Sequence, residues 1–271
     1  SVLNYDQDAA RITTEGADKV IAYIKENGLT NEWLLETHIH ADHITGAFYL
    51  RDHIGGKTAI GSKIKIVLEM WVPIFETEED TPLTGDQFDQ LFDDGDEFKI
   101  GNLSAKMIHT PGHTPACGTY IIEGSAFVGD TVFNPNLGTA RADFPGGDAE
   151  TLYKSINRIY ELSDETKIYL CHDYPKQGDE PMYQTTVGEQ KRSNIMLNAN
   201  TTLEEYVEKP GFNLNKAEIA DLKKCVGDIN HQRAMTKALE KWLDVSRVKV
   251  TYRVLVNILL KLRKGIAAEK V

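Results

Sequence analysis

The sequence predicts an α/β fold built in layers, with sheets packed on one another and flanked by helices. Three observations predict it. Trp33-Leu34-Leu35-Glu36-Thr37 reads as a buried strand that runs into a polar cluster and then, from Ile44, into a helical pattern. From Phe98 the chain changes to short strands over 98–100, 103–109, 118–123 and 126–129, separated by the turn signals Gly101-Asn102, Pro111-Gly112 and Glu123-Gly124. Helical patterns precede and follow this run. Hairpins mixed with helices favour layered sheets over an all-parallel doubly wound fold.

Taken in order, Val2-Leu3-Asn4-Tyr5-Asp6 reads as the end of a strand passing into a polar loop. Thr13 or Thr14 is placed to cap a first helix, in which Ala17, Val20, Ile21 and Ile24 share a face, and Gly28 suits its stop. After the strand at 33–37, a helix is expected from Ile44 to about Ile54. Gly55-Gly56 ends it, Thr58 to Gly61 forms a short strand, and a helix over 63–71 leads into an acidic loop. A helix from Ala149 to Glu161 presents Leu152, Ile156 and Ile159 on one side, and Lys167 to Cys171 is a further buried strand. Helices are expected over 184–199, 202–208, 215–225, 229–243 and 248–264. The division is a catalytic domain over 1–211 and a helical C-terminal extension over 212–271. The apolar stripe of Val250, Val254 and Ile258, with Leu255, Leu259 and Leu262, reads as a core or homodimer face.

The chain of 271 residues is 41% hydrophobic and 26% charged, which suits a globular protein with a substantial core. A formal net charge of -11 argues against nucleic acid or an anionic membrane as partner, because either requires a basic face. The runs Glu76-Thr77-Glu78-Glu79-Asp80 and Asp93-Asp94-Gly95-Asp96 read as solvated loops. Three widely spaced cysteines, Cys117, Cys171 and Cys225, point to a reducing compartment, the cytoplasm or a mitochondrial matrix, and not to a disulfide framework. No apolar stretch is long enough to span a membrane. The first residue is Ser1, so a processed form or a fragment is expected.

Four strand ends carry metal-capable residues: His38-Ile39-His40-Ala41-Asp42-His43, then His109-Thr110-Pro111-Gly112-His113, then Gly129-Asp130-Thr131, and last Cys171-His172-Asp173-Tyr174. Imidazole and carboxylate suit zinc, iron or manganese without any thiolate. Taken alone, His113 reads as a hydrogen-bonded rim residue and Gly-Asp-Thr as an ordinary turn. The first cluster is different. Three imidazoles and a carboxylate so close together would each need desolvating and satisfying, which gives the crowding little structural value without a metal.

Thr37 to His43, Gly112-His113, Gly129-Asp130 and His172 resemble, in order, the ligand motifs of the metallo-β-lactamase superfamily. The resemblance covers roughly residues 1 to 200 and implies a four-layer αββα sandwich with the metal at the rim between two sheets. It also implies about two more strands before Val2 than this chain carries. Three stretches are similar to the persulfide dioxygenases, a group that includes bacterial β-lactamase-like hydrolase proteins. They are Glu36 to Gly46, Gly129 to Phe133 with Gly138 to Phe144, and His172-Asp173-Tyr174. That narrower resemblance implies one Fe(II) per chain on His38, His113 and Asp130, acting on glutathione persulfide and O2. His40, Asp42, His43 and His172 then surround the ligands. The superfamily's hydrolases imply the alternative, two Zn(II) per chain. One zinc would sit on His38, His40 and His113, the other on Asp42, His43 and His172, with Asp130 bridging, as in a glyoxalase II type thioesterase. Residue types alone do not separate the two.

Arg141, in a Gly-flanked segment, is placed to pair with a carboxylate of glutathione or with Asp143. Tyr174 is placed to offer a phenol to a thiol substrate or to be a rim aromatic. Asp42, His43 and Tyr174 are the candidate catalytic groups, and Arg141 and Tyr174 the candidate substrate contacts. Asp173 reads as an orienting residue, and Cys117 and Cys171 as small buried groups. A third reading is a scaffold with a structural metal, whose helical tail binds a partner.

Overall fold

The computed structural model describes residues 2–6, 9, 11–39, 44–75, 77–143, 145–175 and 178–209. The expected extension over 212–271, with its dimer face, lies outside the described residues.

The described chain begins with a short antiparallel sheet. β1 (Val2–Asp6) pairs with β2 (Arg11–Thr13) on one side and with β4 (Ile44–Thr45) on the other. Between them run α1 (Glu15–Glu26), whose N-cap is Thr14, and β3 (Trp33–Leu35). α2 (Ala47–Ile54) therefore starts later than its sequence pattern indicates. Ile44 and Thr45 are drawn into pairing with Leu3 and Val2, and the helix begins after Gly46. β5 (Lys57–Gly61) lies parallel to β3, and β6 (Gln90–Phe92) lies parallel to β5, with α3 (Ile64–Phe75) between them.

The hairpin run forms the larger sheet. β7 (Glu97–Ile100), β8 (Leu103–His109), β9 (Gly118–Ile122) and β10 (Ser125–Phe127) are antiparallel neighbours. The chain then crosses through α4 (Ala149–Tyr160) to β11 (Lys167–Tyr169), parallel to β10, and β12 (Gln184–Thr186) closes the order β12-β11-β10-β9-β8-β7. The expected helix over 184–199 is thus a strand followed by α5 (Val187–Ser193). β12 donates and accepts along β11, and Thr186 then caps the helix through Glu189 N–H. α6 (Leu203–Val207) ends the described chain behind a capping box of Thr202 and Glu205.

Alternation along the strands assigns the layers. Trp33 and Leu35 point one way, into a core with Ala59, Phe92, Met107, Tyr120 and Phe98, which lies between the two sheets. Leu34 points the other way and packs on Ala17, Ile21 and Leu50 of α1 and α2. On the far side of the larger sheet, Leu152, Ile156 and Ile159 of α4 meet Ala126 and Ile168. The sequence is helix, sheet, sheet, helix, as expected. At the join, the Trp33 indole N–H donates to Lys99 O (2.9 Å) and the Glu32 carboxylate accepts from Gly101 N–H, tying β3 to the outer strand β7. Among the described residues no helix is long and apolar enough to cross a membrane.

Candidate metal centre

His38 follows β3, His113 follows β8, Asp130 follows β10 and His172 follows β11, so four strand ends of two sheets deliver them to one rim. Nε2 of His38 lies 3.6 Å from Asp130 Oδ2, Nε2 of His113 lies 3.7 Å away, and Nε2 of His172 lies 3.4 Å away. The His38 and His113 rings meet edge to face at 5.4 Å. One donor atom each from His38, His113 and Asp130 lies within 4.8 Å of the others, and all three residues are buried. His40, Asp42 and His43 lie outside the described residues.

A carboxylate that is 4% exposed is costly unless it is satisfied. Burial is the largest influence on Asp130 and pushes its carboxyl up. The surrounding imidazoles, His38 first and then His172 and His113, outweigh burial when protonated and hold it below the usual carboxylate value. Oδ2 is the oxygen the imidazoles surround. Buried Oδ1 has no hydrogen-bond partner among the described residues. A buried carboxylate with one oxygen ringed by imidazoles and the other left open is what a cation would satisfy, so the residues present fit a metal.

The imidazoles are held from behind. His113 Nδ1 lies 2.8 Å from Arg141 O. A carbonyl only accepts, so Nδ1 carries the proton and the Nε2 lone pair faces the site. His38 Nδ1 lies 3.0 Å from Thr37 Oγ1, which can take the same proton. Two glycines permit these approaches. Gly129 has φ +55, and a Cβ on it would lie 2.6 Å from Thr37 Oγ1. Gly112 has φ +131, and its Cβ would lie 2.4 Å from Leu152 N and Cα, so only glycine lets this loop settle on the start of α4. There Asp148 N–H donates to Gly112 O and the Ser155 hydroxyl donates to Pro111 O.

The other sequence candidates separate. The Arg141 guanidinium is bound in parallel to Asp143, Nε to Oδ1 at 2.9 Å and a terminal nitrogen to Oδ2 at 2.5 Å, so it braces its own loop. It is also well exposed. Tyr174 is an exposed rim aromatic whose ring stacks on His172 (6.1 Å between centroids, 7° between planes), while Phe133 meets the same imidazole edge-on at 6.1 Å. Asp173 accepts from Asn134 Nδ2 (3.3 Å) and Met182 N–H (2.6 Å), joining two segments beside His172. Cys117 is buried, and burial pushes its thiol up to about 11. Cys171, expected to be buried, is instead exposed as a residue because it lies beyond the end of β11, while its thiol is pushed up to about 12, first by burial and then by Asp130. Neither supplies a thiolate at neutral pH. Thr37, Phe133 and the Arg141 carbonyl were not singled out for these contacts by the sequence. Thr37 adjoins a ligand and could have been; a backbone carbonyl leaves no residue signature.

The metallo-beta-lactamase superfamily description matches residues 5–172. A Dictyostelium discoideum protein named Glyoxylase B2 is 51% identical over 77% of this chain and 72% of its own. The human mitochondrial persulfide dioxygenase ETHE1 is 33% identical over 76% of this chain and 72% of its own. Among solved structures, ETHE1 from Myxococcus xanthus aligns with a TM-score of 0.58 at 27% identity, covering 79% of this chain and 86% of that one. The candidate ligand residues lie just beyond the strand ends of a helix–sheet–sheet–helix sandwich, and the chain belongs to the metallo-beta-lactamase superfamily.

Proposed function

We propose that this chain is an iron-dependent dioxygenase that converts glutathione persulfide, O2 and water to glutathione and sulfite. The observation that carries the reading is the compact set of His38, His113 and Asp130. Two imidazoles and one carboxylate suit a single ferrous ion and leave room for exogenous ligands. Bound iron would supply a seat for the substrate sulfur and the activation of dioxygen, and redox-silent zinc lacks the second of these. His38 and His113 contribute Nε2, with Nδ1 turned toward Thr37 and Arg141 O. Asp130 contributes the negative charge. The low exposure of all three residues excludes bulk water. His40, Asp42 and His43 are assigned to hydrogen bonds around the ligands, with Asp42 and His43 handling protons. Tyr174 is assigned to the thiol, and Arg141 to a glutathione carboxylate at the expense of its bond to Asp143. The human relative named persulfide dioxygenase supports the assignment. The chemistry requires a reducing compartment, the cytoplasm or a mitochondrial matrix.

A second reading, a dinuclear zinc thioesterase of glyoxalase II type, is favoured by His172. Its Nε2 lies 3.4 Å from the same Asp130 oxygen, a fourth donor at the position a second metal would share. The Dictyostelium relative carries a glyoxylase name. Metal analysis with oxygen uptake on glutathione persulfide decides between them. One iron per chain and oxygen consumption are expected. Two zincs per chain, no oxygen uptake and hydrolysis of S-lactoylglutathione would replace the first reading with the second.

A further inference from the structure

The segment 132–141 runs from one ligand region to another. Phe133 near its start lies edge-on to His172, and the Arg141 carbonyl at its end accepts from His113 Nδ1. Its own backbone closes it with a Val132–Thr139 bridge and a Phe133 N–H to Gly138 O bond (3.0 Å). Three fully buried polar side chains from the C-terminal part of the sandwich hold it from outside. Gln190 Nε2 donates to Phe133 O (2.8 Å). Asn194 Nδ2 donates to Gly138 O (3.0 Å) and lies 2.6 Å from Gln190 Oε1, while its Oδ1 accepts from Met196 and Leu197 N–H. The Tyr206 hydroxyl bonds Thr139 Oγ1 (2.8 Å), and Ile195 N–H donates to Pro135 O (3.0 Å).

Buried amides are expensive unless every donor and acceptor is used, and an apolar pair would fill the same volume without that demand. Here the amide donors go to loop carbonyls, and each carbonyl fixed this way removes freedom from a segment whose Arg141 carbonyl orients the candidate ligand His113. Partners behind a ligand set its orientation and hence its affinity for the ion.

We infer that Gln190, Asn194 and Tyr206 are positioning residues of the metal centre: through segment 132–141 they fix the carbonyl that orients His113 and the ring that flanks His172. The inference rests on the reading that His38, His113 and Asp130 hold a metal, and it is the same for iron or zinc.

The test titrates the metal-free full chain with Co(II), reading the visible absorption and the affinity by chelator competition. Asn194→Ala should weaken Co(II) binding about tenfold and shift the absorption bands. Tyr206→Phe, which keeps the ring and so the fold, should weaken it about threefold, the size expected of one neutral hydrogen bond. Tyr153→Phe removes a comparable hydroxyl bond, to Thr201 O at 3.1 Å, without touching segment 132–141, and should leave affinity and spectrum unchanged. Melting temperatures lowered in Tyr206→Phe and Tyr153→Phe alike, with Co(II) affinity and bands equal to wild type in both, would overturn the inference and make the network structural. A wild-type chain that binds no Co(II) would overturn the metal reading together with it. Cobalt binding with the expected pattern but no oxygen uptake after iron loading would leave the inference standing and remove the dioxygenase assignment.

Discussion

Gly129→Ala is the sharpest test of how the site is assembled. The backbone at 129 has φ +55, where a Cβ costs about 1–2 kcal/mol. The new methyl would lie 2.6 Å from Thr37 Oγ1, 2.8 Å from Thr37 Cβ and 3.4 Å from His38 Nδ1, inside contact distance for the first two. Displacing a packed side chain to make room costs about 1–3 kcal/mol more. The total, roughly 2–5 kcal/mol, is a large part of the 5–15 kcal/mol that holds a typical domain together. The clash is with the Thr37 side chain, so it should vanish where that side chain is absent. In a Thr37→Gly background, which removes Cβ as well as Oγ1, Gly129→Ala should cost only the backbone part, about 1–2 kcal/mol. Urea unfolding of the metal-free proteins as a double-mutant cycle measures the difference, and a coupling of about 1–3 kcal/mol is expected. Additive effects of the two substitutions would refute the claim that the glycine exists to admit Thr37 and His38.

Asp130→Asn keeps the shape of the side chain and loses the charge. It should weaken metal binding by more than about a hundredfold, beyond the range seen when an outer partner is lost, as read by chelator competition. His109 gives a pH dependence away from the metal. Its Nε2 is buried against Gly61 with no hydrogen-bond partner among the described residues, and Lys63, Asp93, Asp94 and Arg158 surround it. Burial is the main reason its pKa falls below the usual 6.5; Asp94 opposes the fall. The unfolded chain therefore takes up the proton first as pH drops. The stability tied to His109 is complete above about 6.5 and is lost as pH falls toward the folded value. Urea midpoints of the metal-free chain should decline below that pH, and His109→Gln should flatten the decline. Arg141→Ala should lower the urea midpoint, because the Asp143 side chain is only 9% exposed and loses its bidentate partner. On the proposed function it should raise KM for glutathione persulfide while leaving kcat close to wild type.

The layers and the convergence of four candidate residues on one rim were legible in the sequence because both rest on strong local signals. Trp33-Leu34-Leu35 alternates between two cores, and each candidate lies a few residues beyond an apolar strand. The short strands β2, β6 and β12 were missed. Three residues carry too little periodicity, and their partners in β1, β5 and β11 decide them. The late start of α2 has the same cause, since Ile44-Thr45 would suit a helix until β1 lies beside it. The site's outer partners were illegible for another reason. Arg141 lies 28 residues from His113 and offers a carbonyl, while the long Arg141 side chain, the visible candidate, is bound to Asp143. His40, Asp42 and His43 were the loudest signal in the sequence, and they lie outside the described residues.

The bond from Trp33 to Lys99 O, with Glu32 at Gly101 N–H, has a consequence beyond joining two sheets. β7 is the last strand of its sheet, and a terminal strand with open amides and carbonyls invites a neighbouring molecule to add itself as another strand. Here an indole and a carboxylate from the same chain occupy that border at two points. Crowded copies of this protein should therefore resist ribbon-like self-association along that side, and Trp33→Phe, which keeps an aromatic ring in the core and drops the donor, is the change that would reopen it.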